Sequence, residues 1–153
     1  MAILRRVVRR PLLVVPLIAG CILASACGDE KRLPTQPDGG GPPPETATFT
    51  RVQNEVFTPT CALAGCHLGP KQAANEGMVL EAGAAYANIV GIPSNQKAPM
   101  LRVKPNDPDN SYLVLKITPF TDINGARMPQ SGFITDAQRK LVTDWVLRGA
   151  PND

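Results

Sequence analysis

The sequence predicts a small helical domain whose two best helices stand at its ends, with long loops between them. Three observations carry this reading. Near the start of the domain Phe49, Val52, Val56 and Phe57 recur at helical spacing as one apolar stripe, ending before Pro59. At the far end Ala137, Leu141, Val142, Trp145 and Val146 form a second stripe, with Thr135 as N-cap, Asp136 at the positive end of the helix dipole and Gly149 as stop. Between them GIPSNQKAPM (91–100) and FTDINGARMPQSG (120–132) carry no period at all. Loops of that length in a compact domain need something to wrap around.

Ahead of the domain lie two segments of other kinds. Residues 1–26 begin with Arg5, Arg6, Arg9 and Arg10 and continue in an uncharged apolar run, the pattern of an export signal. Twin arginines also raise the Tat pathway, but the rest of that pattern is missing. The apolar run is shorter than the roughly 20 residues that span a bilayer. Leu23-Ala24-Ser25-Ala26-Cys27 resembles a bacterial lipobox and stands where the run turns polar, so Cys27 is the expected lipid anchor. Leu17-Ile18-Ala19-Gly20-Cys21 fits the lipobox more strictly and makes Cys21 the alternative. Cleavage after Ala24 or Ala26 by the ordinary signal peptidase would instead release a soluble secreted protein. Removing the signal takes the basic count from 16 to 12 against 13 acidic residues, which removes the charge argument for a nucleic-acid partner.

Residues 27–45 are rich in proline and glycine, with Leu33 their one large aliphatic residue, and read as a tether. The folded domain is then 46–153. Within it LEAGAAYANIVG (80–91) predicts a short helix stopped by Gly91, with Leu80, Ala84, Ile89 and Val90 as its apolar members. The run following Asn110 and Ser111 fits either a strand or a helix by pattern. Aromatic residues make up only 5% of the chain and prolines number 16, so a cofactor filling the core is expected.

The chemistry concentrates in CALAGCHLGP, residues 61–70. Covalent haem attachment needs two thiols on a tight loop and an imidazole beside the second; the usual form is CxxCH. Cys61, Cys66 and His67 supply these groups with four residues between the thiols rather than two. Wider CxxxxCH spacings occur among multihaem cytochromes. The competing reading is a Cys61–Cys66 disulfide formed in an oxidising compartment, with His67 a bystander. That loop would constrain the unfolded chain little. A lone histidine falling by chance directly after the second cysteine is a coincidence on the order of one in a hundred in a domain of this length. Zinc would be a ligand short.

His67 is the only histidine, so bis-histidine ligation within one chain is excluded. The sixth ligand is then methionine, another side chain, water or nothing. Met78 lies eleven residues from His67, with little chain to cross a haem; Met100 is geometrically possible; Met128, 61 residues on and held by Pro129, is the favoured ligand.

These residues resemble a class I c-type cytochrome, and more closely the single-haem cytochrome c domains of bacterial, often planctomycete-type, envelope proteins. The resemblance rests on Cys61…Gly65-Cys66-His67, Val103-Lys104-Pro105…Asp107-Pro108…Ser111-Tyr112-Leu113, Met128-Pro129 and Trp145-Val146…Gly149-Ala150, and covers nearly all of 46–153. It implies an all-α cytochrome c-like domain, a helical 111–117 segment, crossing end helices and one haem c with His67 proximal and Met128 distal. The expected function is electron transfer on the periplasmic side of a membrane or at the cell surface, by a lipid-anchored carrier rather than an enzyme. Its partners would be redox proteins of the envelope. The alternatives are a five-coordinate haem sensor or peroxidase-like protein, and a disulfide-stapled lipoprotein without haem.

Overall fold

A computed structural model describes residues 43–119 and 121–153. The signal, both lipobox cysteines Cys21 and Cys27, and the tether up to residue 42 lie outside the described residues. The described part is helical: α1 (Phe49–Val52) runs straight into a π-helix (Gln53–Cys61), followed by α2 (Ala85–Ile89), α3 (Tyr112–Ile117) and α4 (Asp136–Leu147), with 3-10 turns at Ala73–Asn75 and Pro108–Asn110. Among the described residues the only β-type pairing is three isolated bridges, which pin the central loops.

The first helix starts as its sequence requires. The Thr48 hydroxyl accepts from the Arg51 N–H at 3.2 Å, and Arg51 reaches Glu55 one turn on at 2.6 Å. It does not end before Pro59, as the stripe predicts. In an α register the proline ring would clash with the carbonyl of Glu55 and leave it unbonded. The chain widens to π winding instead and continues to Cys61, where the Ala62 N–H reaches back five residues to the Phe57 carbonyl at 2.7 Å. The helix therefore delivers Cys61 directly.

Over 80–91 the helix is shorter than expected, only Ala85–Ile89. Leu80 is buried, but its N–H is taken by the His67 carbonyl at 2.8 Å, and Gly83 turns the chain at a positive φ of 82°. The ambiguous run becomes α3. The orphan N–H groups of Tyr112 and Leu113 at its start are satisfied by the carbonyls of Leu101 and Arg102, both at 2.9 Å. Ser111 holds the N-cap position without capping; its hydroxyl accepts from the Lys104 N–H and donates to the Asp107 carbonyl, both at 2.8 Å.

α4 has the predicted Thr135 cap, completed as a capping box by Gln138. Leu141 through Val146 are buried, whereas Ala137, read as part of the apolar stripe, is exposed. The core forms where α4 meets α1 and the π-helix. Trp145 is fully buried with its ring 5.4 Å from that of Phe49, which also meets Tyr86 at 5.2 Å edge to face. Gly149 ends α4 at φ 96°, and a Cβ there would lie 3.3 Å from Asn106 Oδ1, so the stop needs glycine twice over.

Candidate functional site

Behind Cys61 the chain folds over an apolar cavity of about 690 Å³, counting the part open to solvent. Cys61, His67, Met78 and Met128 all face it, with Val56, Phe57, Leu80, Leu113 and Ile117 as aliphatic and aromatic wall. Met100 is not on this wall, so of the three methionines considered as distal ligand Met78 and Met128 line the cavity with His67.

His67 is fixed by backbone on three sides. Its N–H donates to the Cys61 carbonyl at 3.1 Å and its carbonyl accepts from the Leu80 N–H. Its ring Nδ1 lies 3.0 Å from the Met78 carbonyl. A carbonyl only accepts, so Nδ1 carries a proton, and in the neutral ring Nε2 is then the nitrogen with the lone pair. A second-atom hydrogen bond of this kind is what orients a metal-ligating imidazole and raises its basicity. Buried Gln53 locks the arrangement by donating from Nε2 to the Leu80 carbonyl at 3.0 Å. Met128, on the wall of the same cavity, is held by its N–H, which donates to the Lys116 carbonyl at 2.8 Å.

Both thiols are free. Burial, reinforced by the neighbouring Cys66, pushes the Cys61 thiol up to about 11. Its thiolate fraction near neutral pH is thereby lowered on the order of a hundredfold relative to an ordinary cysteine. Cys66 is exposed. In haem-free protein iodoacetamide is therefore expected to alkylate Cys66 much faster than Cys61, read by mass spectrometry of peptides over time. Equal rates would contradict this description of the loop.

Two cations on the cavity wall are absent from the sequence reading: Arg102 and Lys116, both buried. Burial lowers the pKa of each, and for Lys116 the charge of Glu76 acts in the opposite direction. A signal was present in both cases, since Lys116 interrupts the apolar run LVLKI and Arg102 sits between Leu101 and Val103.

No protein-family model matches the sequence, no curated protein matches it, and no solved structure matches the fold. Function therefore has to be argued from the site. Among the described residues no three His, Cys, Asp or Glu side chains converge as a metal cage. The donors that line the cavity are one imidazole, the two thioethers of Met78 and Met128 and the Cys61 thiol, with a second thiol next to the imidazole in sequence. That set suits a metal already held in a planar macrocycle better than a bare ion, which would need more ligands from the protein.

Proposed function

We propose that the chain is an exported, lipid-anchored monohaem c-type cytochrome that carries electrons between redox proteins of the cell envelope. The observation that carries this reading is the His67 ring. Its Nδ1 is committed to the Met78 carbonyl, its Nε2 is free, and it lines an apolar cavity shared with Cys61 and Met128. Cys61 on the cavity wall and the exposed Cys66 would form the two thioether links, and His67 and Met128 would supply the iron ligands. Haem c bound there supplies a one-electron Fe(II)/Fe(III) couple.

The remaining chemistry belongs to the chain. His67 is oriented by backbone before any ligand arrives, so little entropy is lost on binding. The aliphatic wall excludes water, and a thioether opposite an imidazole favours the reduced state relative to two nitrogen ligands. Among the described residues the one carboxylate on the cavity wall with His67, Glu76, is exposed and bonded to Gln96, which favours electron carriage over peroxide chemistry. Cys27, or Cys21, would tie the domain to a membrane through the tether and raise its effective concentration near partners.

The deciding experiment is a haem stain on a denaturing gel, with the chain co-expressed with a c-type maturation system and Cys61→Ala/Cys66→Ala as control. Stain that survives denaturation and vanishes in the control is expected. Exported protein without stain, repeated with a maturation system tolerant of wide spacing, would overturn the reading in favour of a lipoprotein without haem.

A further inference from the structure

Arg102 and Lys116 are only 6% and 7% exposed, yet neither belongs to an ion pair among the described residues. Buried charge is costly unless paired. Arg102 donates to three carbonyls, those of Glu76 (2.9 Å), Gly77 (3.3 Å) and Asn88 (2.8 Å). These satisfy hydrogen bonds but do not neutralise the guanidinium, which has five N–H groups to place. Lys116 Nζ donates to the Asn124 carbonyl at 3.0 Å and stands 5.6 Å from the centre of the Tyr112 ring. An ammonium has three donors, and one carbonyl leaves it short. The acid on the same wall, Glu76, is exposed and accepts from Gln96 Nε2 at 3.2 Å, so water screens it from balancing two buried cations.

Both cations line the same cavity as the apolar wall and His67. The occupant this calls for is an amphiphile with a flat apolar body and anionic groups at one end. We propose that Arg102 and Lys116 are positioning residues that bind the two carboxylates of a tetrapyrrole and so set which way round it enters. The assignment rests on the haem reading above. Arg102 is suited to a planar, two-point grip on a carboxylate, and Lys116 to a single charge. Gly125 keeps this end open: at φ 72° a Cβ there would lie 3.0 Å from Gln96 Nε2 and 3.7 Å from Lys116 Nζ.

The test uses the full haem-free chain and two probes, zinc protoporphyrin IX and its dimethyl ester, titrated by fluorescence. The diacid is expected to bind at least about tenfold more tightly than the diester, the scale of one or two charge-assisted hydrogen bonds. Lys116→Met keeps the aliphatic stem and removes the charge, and is expected to shrink that ratio severalfold. A purely structural lysine would weaken both probes alike, and a ratio unmoved by Lys116→Met would overturn its role. Diester bound as tightly as diacid would overturn the carboxylate assignment and leave the tetrapyrrole reading standing. Binding of neither probe would overturn both. The wild-type ratio is read on the unaltered chain, so it decides even where the variant fails to fold.

Discussion

On the proposed haem reading, His67→Ala is expected to abolish a low-spin spectrum in the purified protein, even where haem would stay attached through Cys61 and Cys66. The imidazole is the one nitrogen donor on the cavity wall whose lone pair is fixed in place, because Nδ1 is spent on the Met78 carbonyl. On the same reading Met128→Ala should remove a weak methionine-to-iron band at the red edge and lower the reduction potential, since a thioether ligand would raise it. Met100→Ala should leave band and potential unchanged, because Met100 does not line the cavity. The three variants are read together by optical spectra and a potentiometric titration. Loss of the band in Met100→Ala with retention in Met128→Ala would reverse the assignment. A high-spin spectrum in the wild type would turn the reading toward a five-coordinate sensor or peroxidase-like protein.

Trp145→Ala is expected to cost about 3 to 5 kcal/mol, enough to unfold a marginal domain of this size. The ring is fully buried between α1 and α4, against Phe49, and its Nε1 donates to the Pro151 carbonyl at 2.9 Å. Trp145→Phe keeps the packing against Phe49 and gives up mainly the hydrogen bond, an expected loss of about 1 kcal/mol plus the smaller ring's shortfall. Chemical denaturation of the haem-free protein separates the two. A loss below 1 kcal/mol for Trp145→Ala would mean that the end helices do not depend on this contact.

The end helices were the legible part of the fold, for a physical reason. Thr135 with Gln138, and Thr48 before an apolar stripe, are local signals that local geometry satisfies. The misread boundaries are those set from a distance. Pro59 reads as a stop, yet the chain passes it by changing its winding, which no propensity records. Leu80 fits a helical stripe, but its N–H is claimed by His67, thirteen positions earlier in the sequence. The 112–117 run could not be assigned to helix or strand until Leu101 and Arg102 supplied acceptors for its first N–H groups. In the candidate site the cysteines and histidine announce themselves by spacing, and the single histidine excludes a second imidazole from the same chain. The meeting of His67 and Met128 at one cavity, and the two cations beside them, depends on packing between segments far apart in sequence.

The contacts that hold His67 and Met128 have an unusual property in common: the partner is main chain. His67 is bonded through the carbonyls of Cys61 and Met78 and the N–H of Leu80, and Met128 through the carbonyl of Lys116. The side chains of Met78, Leu80 and Lys116 line the cavity, while the bonds that hold His67 and Met128 come from the backbone of the same three residues. An ester in place of the peptide bond at 80 removes the N–H bonded to His67 and keeps the buried Leu80 side chain, so it touches the scaffold alone. Evolution can thus retune the cavity's polarity and its partners while the alignment of imidazole and thioether stays inherited in the backbone.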